Sequence, residues 1–262
     1  MICFAGITPH TPLLIPGVGK ENVKKLETTV SALKHLEEEL YASKPDTIVV
    51  VSGHAIQHKE AFSINLHDHY AIEFKDFGDL ATSRSLQADL ELVTDVQRHM
   101  QTHSVPLTLD SNTSLDYGTG VPLFFLTQHL PHIRILPISY SGLSPKEHLH
   151  FGAELQDVFE HSQKRIAVIA SGDLSHCLSS DAPLGFRPEG ELYDKKIQEC
   201  VTDFSSAKLL TIPEEVVKKA SACIQEQLLI FFGIFEKKKI RVELLSYEHP
   251  FGVGYLVAQV HL

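Results

Sequence analysis

The sequence predicts an α/β fold, with a mainly parallel or mixed central sheet and helices on both faces, in a single domain spanning residues 1–262. Three observations predict it. Short continuous apolar runs such as "DTIVVVSGH" (46–54), "IRILPIS" (133–139) and "RIAVIASG" (165–172) suit strands buried on both faces. Segments of helical period alternate with those runs, the arrangement of an open α/β sheet. No low-complexity linker, internal repeat or shift of composition marks a boundary within the 262 residues, a length one large domain can fill.

Taken in order, "ICFAGI" (2–7) reads as the first strand, and Pro9, Pro12 and Pro16 end it because proline lacks the ladder donor. In "ENVKKLETTVSALKHLEEELYASK" (21–44), Val23, Leu26, Val30, Leu33, Leu36 and Leu40 recur at helical spacing. The stretch 58–83 reads as an insertion, an edge strand followed by a loop over the sheet, with "FKDFGDLATS" (74–83) either a lid or a plain surface turn. Helices are predicted over 83–103, 146–163, 188–202 and, as one long element, 216–238. The segments 239–249 and 252–262 close the chain as adjacent strands. "EKKKIR" (236–241) reads as a solvated helix end, and His67, His69, His148 and His150 as surface residues.

Composition excludes several classes of function. A net charge of −10 argues against a nucleic-acid partner, which draws on clustered Lys and Arg. The N-terminal residues lack the basic region of a signal peptide, and no apolar run reaches the roughly 18 residues of a membrane span. The expectation is a cytoplasmic protein with no membrane partner. Cys3, Cys177, Cys200 and Cys223 form no Cys-x-x-Cys pair, which speaks against a zinc finger or a disulfide framework. Cys177 reads as a small buried residue.

The 16 histidines are the unusual count, since imidazole is the commonest metal ligand. His10, His54 and His176 each follow a strand-like run. In an open α/β sheet, ligands bind outside the carboxyl ends of the strands, so three imidazoles could converge there. Glu248, before Pro250 at the end of a strand, is the carboxylate candidate, and two histidines with one carboxylate form the facial triad of non-haem Fe(II) oxygenases. His249 is the alternative ligand, since neighbours on a strand point opposite ways. Asp173 either orients an imidazole or caps a turn.

"ITPHTPLLIPG", "VVVSGHA", "LDYGTGVPLFFL" and "IASGDLSH" occur in that order. Together they resemble the LigB-like class III extradiol dioxygenase superfamily, which includes the Memo proteins, over residues 2 to 260. The resemblance implies His10, His54 and Glu248 as metal ligands, with Glu248 the loosest match, and His176 as the catalytic acid/base. It implies Fe(II), with Zn(II) in some relatives, and a small aromatic diol and O2 as substrates. A homodimer or an accessory small subunit is the expected assembly. Asp116-Tyr117-Gly118 stands where many ring-cleaving members have Asp-His-Gly, so Tyr117 takes the place of a catalytic histidine, or is a packing aromatic at a helix start. Ring cleavage of a catechol is therefore weighed against a Memo-like metal-binding protein with a redox or partner-binding role, and against a zinc metallohydrolase.

Overall fold

The computed structural model describes residues 1–262. Its strands are β1 (Ile2–Thr8), β2 (Thr47–Ser52), β3 (Phe62–Asn65), β4 (His69–Phe74), β5 (Asp79–Ala88), β6 (Leu107–Asp110), β7 (Arg134–Ser139), β8 (Ile166–Ser171), β9 (Arg241–Glu248) and β10 (Tyr255–His261). Its helices are α1 (Pro16–Gly19), α2 (Glu27–Ala42), α3 (Leu90–Thr102), α4 (Tyr117–Leu126), α5 (Pro145–His161), α6 (Pro188–Thr202), α7 (Ser206–Leu210), α8 (Glu214–Ala220) and α9 (Gln225–Phe235). All strands join one mixed sheet with the path β4-β5-β7-β2-β8-β1-β10-β9, and β3 and β6 are added beside β7. The centre, β7-β2-β8-β1, is parallel, while β10 and β9 add antiparallel strands at one end.

The β-branched runs become central strands because both faces need apolar cover. In β2, Val49 and Val51 pack into the core under α3, α5, α6 and α9, and Ile48 and Val50 into the core under α2 and α4. Each such fully buried side chain stabilises the fold by about 2 kcal/mol. The same alternation runs on to the strand ends. It turns the hydroxyls of Ser52 and Ser171 toward α4, where they meet Asp116 and the Gly118 carbonyl.

Three predicted elements differ. Residues 83–88 are not the start of a helix but the end of β5, paired with β4 and β7. The helix begins after Asp89, whose carboxylate accepts the Leu92 amide at its N-terminus, a strong start signal. The region 58–83 is not a strand and a loop but holds β3, β4 and the first half of β5. The long helix predicted over 216–238 is two helices: α8 ends on Ser221 in the left-handed conformation (φ 50°), and α9 starts at Gln225. That break creates the loop carrying Cys223.

Candidate metal centre

The loop after β1 brings His10 into the interior, where it is 1% exposed. Its backbone N–H donates to the Asp173 carboxylate at 2.8 Å. Its Nδ1 lies 3.2 Å from Ser171 Oγ, and that hydroxyl donates onward to the Gly118 carbonyl. With its proton committed there, the serine oxygen accepts from the ring, which places the His10 proton on Nδ1 and leaves the Nε2 lone pair free. Nε2 points at two other donors. His54 Nε2 is 3.0 Å away and Cys223 Sγ 3.2 Å away, and the donor atoms of all three residues lie within 4.8 Å of one another.

His54 follows β2 and is half-buried. Its ring stacks on Tyr117, the first residue of α4, with centroids 4.2 Å apart and planes 27° from parallel. The phenol oxygen lies 3.0 and 3.1 Å from the two ring nitrogens. Asp116 fixes Tyr117 by capping α4: its carboxylate accepts the Thr119 amide at 3.0 Å and the Ser52 hydroxyl at 2.8 Å. A side chain at Gly118 would overlap the Ser52 hydroxyl and touch His54, so glycine there is what lets α4 approach the site.

Cys223 is the donor the sequence reading missed. Its sulphur sits 3.4 Å from the Asp173 amide and 3.5 Å from the Asp173 carbonyl. The small residues "ASAC" (220–223) were the available signal, but the apolar period of "VVKKASACIQEQLL" runs straight through them. No Gly or Pro marks the break.

Glu248 and His249 do not join this cluster. The Glu248 carboxylate accepts the Thr29 amide at 2.7 Å and the Thr29 hydroxyl at 2.5 Å, which ties the end of β9 to the start of α2. Two strands, β1 and β10, separate β8 from β9, so a carboxylate on β9 is spent on the neighbouring helix. His249 is exposed and faces Tyr247. The residue placed beside His10 and His54 is Cys223, not the predicted Glu248. Asp173 holds the His10 backbone rather than an imidazole, and Ser171 does the orienting. His148 is buried, not a surface residue: its Nδ1 is 2.9 Å from the Ser144 carbonyl, and its ring packs against Phe62.

Burial sets the electrostatics. It pushes His10 well below the usual histidine range, helped by the neighbouring charges of His54 and His176. His54 and His176 are also lowered, chiefly by burial. All three rings are therefore neutral donors at pH 7. Burial raises the Asp173 carboxyl to about 7, against the His10 and Thr11 amides that lower it. Burial, with Asp173 nearby, also pushes the Cys223 thiol up. His176 Nδ1 is buried without a hydrogen-bond partner, and the backbone of Ser221 and Leu174 offers it only partial compensation.

A cavity of about 220 Å³ opens beside His54, with Asn65, Asp110, Asn112 and Asp116 among its lining residues. The Phe77 ring, 41% exposed, stands edge-on to Tyr117 at 5.3 Å, so the predicted lid segment does border the site. A larger cavity, about 630 Å³, lies at the opposite ends of the strands and is lined by none of these residues.

The family described as the catalytic LigB subunit of aromatic ring-opening dioxygenase matches residues 5–258. The chain belongs to the LigB family. A relative from Clostridium acetobutylicum, Protein CA_C1420, is 31% identical over 97% of this chain and 56% of its own length. The LigB chain here thus spans just over half the length of that curated relative. The crystal structure of the uncharacterized protein JW3007 from Escherichia coli K12 superposes with a TM-score of 0.66 at 15% identity, covering 98% of this chain and 99% of that one. It shows the same fold. LigB membership makes this a dioxygenase-like, metal-dependent superfamily, and His10, His54 and Cys223 are the donors that fit such a metal. Two imidazole nitrogens 3.0 Å apart in a buried site need a shared proton or a cation between them. No helix is long and apolar enough to cross a membrane.

Proposed function

We propose that His10, His54 and Cys223 hold a transition metal and that the protein is a metal-binding, redox-handling member of the LigB family rather than a catechol ring-opener. The single observation that carries this is the thiol 3.2 Å from His10 Nε2, in the place where an oxygenase facial triad would need a carboxylate. Imidazole with thiolate suits Zn(II) or Cu(I), whereas two imidazoles with a carboxylate suit Fe(II) and O2. When bound, the metal would supply Lewis acidity or a one-electron couple. The residues around it do the rest. Ser171 holds His10 in the tautomer that presents Nε2, as outer partners of metal-bound histidine do. The raised thiol pKa keeps the proton on Cys223 until a cation displaces it. Tyr117 covers one face of His54, and Phe77 shields the phenol from one side. The cavity beside His54 presents Asn65, Asp110, Asn112 and Asp116, side chains that would fix a ligand by hydrogen bonds.

Ring opening with Fe(II) is the second reading. Two observations favour it: the family description, and His176, a neutral imidazole whose unpartnered Nδ1 could exchange a proton as a general acid/base. Metal analysis of anaerobically purified protein, followed by oxygen-uptake assays over a catechol panel, separates the two. Bound metal with no uptake is the expected result. Stoichiometric iron with catechol-dependent uptake, lost in His176→Ala, would overturn the proposal in favour of ring cleavage.

A further inference from the structure

A second group of metal-ligating side chains lies on the helical face of the fold and shares no residue with the site above. Helix α3 carries His99 and ends at the C-cap residue His103, and α5 carries His150 and Glu154. Each pair is spaced i, i+4, which brings its two side chains to the same side of the helix or its end. The pairs meet where the helices pack. His99 Nε2 is 2.6 Å from Glu154 Oε2, His103 Nδ1 contacts the same oxygen, and His150 Nδ1 is 3.8 Å from Oε1. The donor atoms of His99, His103 and Glu154 lie within 4.8 Å of one another. The carboxylate is largely sheltered, its side chain only 15% exposed, while His103 at 42% keeps a route to solvent.

No lysine or arginine pairs with Glu154; its partners are the three imidazoles. The His99 and His103 rings stand with centroids only 4.0 Å apart. Imidazoles converging on one carboxylate are the ligand set of a borderline divalent ion, three nitrogens and an oxygen in the number a tetrahedral zinc site uses. We propose that His99, His103 and Glu154, with His150 as the fourth donor, bind a divalent transition metal of the zinc class and so clip α3 to α5. Binding needs no oxidant. Each ring that now donates its N–H to Glu154 moves that proton to its outward nitrogen, and the freed lone pair takes the ion. The carboxylate exchanges two N–H donors for one metal bond.

The test is Zn(II) equilibrium dialysis of the full chain with metal quantified by mass spectrometry, alongside thermal melts with and without Zn(II). The expected result is loss of one Zn(II) equivalent in His99→Asn/His103→Asn. That same equivalent survives in His10→Asn/Cys223→Ser. At a free Zn(II) concentration 100 times the dissociation constant, the folded-to-unfolded ratio rises about 100-fold, and this rise disappears in the first variant only. Loss of the other equivalent in the second variant reports separately on the His10 centre, so failure of one proposal is distinguishable from failure of the other. If the double variant does not fold, Glu154→Gln, which keeps the shape of the side chain, gives the same reading. Unchanged stoichiometry in either variant of the helical cluster, or half-saturation only in the millimolar range, overturns the proposal.

Discussion

The two ends of the parallel strands are built to opposite rules. At the amino ends, charge is paired and backbone groups are satisfied. Asp89, buried, accepts from Lys164 Nζ at 2.5 Å and from the Thr47 hydroxyl, and Lys164 also meets Glu91 at 2.8 Å. The Arg165 guanidinium donates to the Ser43 and Lys44 carbonyls. The terminal ammonium donates to three carbonyls, of Phe159, Ser162 and Lys164. At the carboxyl ends, burial keeps the His10 and His54 rings neutral with their Nε2 atoms 3.0 Å apart, and His176 Nδ1 is buried without a hydrogen-bond partner. Buried polar groups are normally satisfied, and a cluster that departs from this within a well-packed fold marks a site with a task. The amino end holds the sheet together, and the carboxyl end is held ready for a ligand.

The largest effect on stability is expected at the amino end. Asp89→Ala removes the partner of a half-buried lysine and the cap of α3, and should destabilise the fold by about 3 kcal/mol in urea unfolding, with the metal content of the folded protein unchanged. The largest effect on metal is expected at the other end. Ser171→Ala frees His10 from its tautomer and should weaken metal binding about 10- to 100-fold in competition titrations, with little change in melting temperature. If each change affected both readouts equally, the contrast between the ends would fail.

Acid sharpens the comparison. Burial pushes Asp89 up, but the hydrogen bonds from Lys164, Thr47 and the Leu92 amide outweigh it and leave its carboxyl below the usual 3.8. A depressed folded pKa means the stabilisation is full above the unfolded value and is lost as pH falls through the lower, folded one. Wild type should therefore lose stability below about pH 3.8 more steeply than Asp89→Asn, as followed by circular dichroism. The smallest effect is expected for Tyr117→Phe. Stacking on His54 survives without the hydroxyl, so metal content should hold, and only the environment of the site, read by metal-centred spectra, should move.

Much of this was legible in the residues. The buried strands announced themselves by β-branched runs, and once the strands were placed, His10 and His54 stood at their carboxyl ends by topology alone. The partners of those histidines were less visible. Ser171 and Ser52 matter because period-2 alternation points them at α4, which requires knowing where α4 lies. Cys223 was hidden by a helical period that continued across a real break, the turn at Ser221. The surroundings of Glu248 were not legible because the end of a strand says nothing about which neighbour the carboxylate meets; here it meets Thr29, 219 residues away in the chain. The helix over 83–103 failed at its start because the strand pairing of 83–88 outweighed helical spacing.

In the proposed site sulphur, not carboxylate, completes the donor set beside His10 and His54. Co(II) titration followed by absorbance tests it most directly, since a thiolate bound to cobalt gives an intense near-ultraviolet charge-transfer band that nitrogen and oxygen donors do not. The band should appear in the wild-type protein and in Glu248→Gln and vanish in Cys223→Ser. A band that is absent from wild type, or Co(II) binding that is abolished by Glu248→Gln and indifferent to Cys223→Ser, would contradict it.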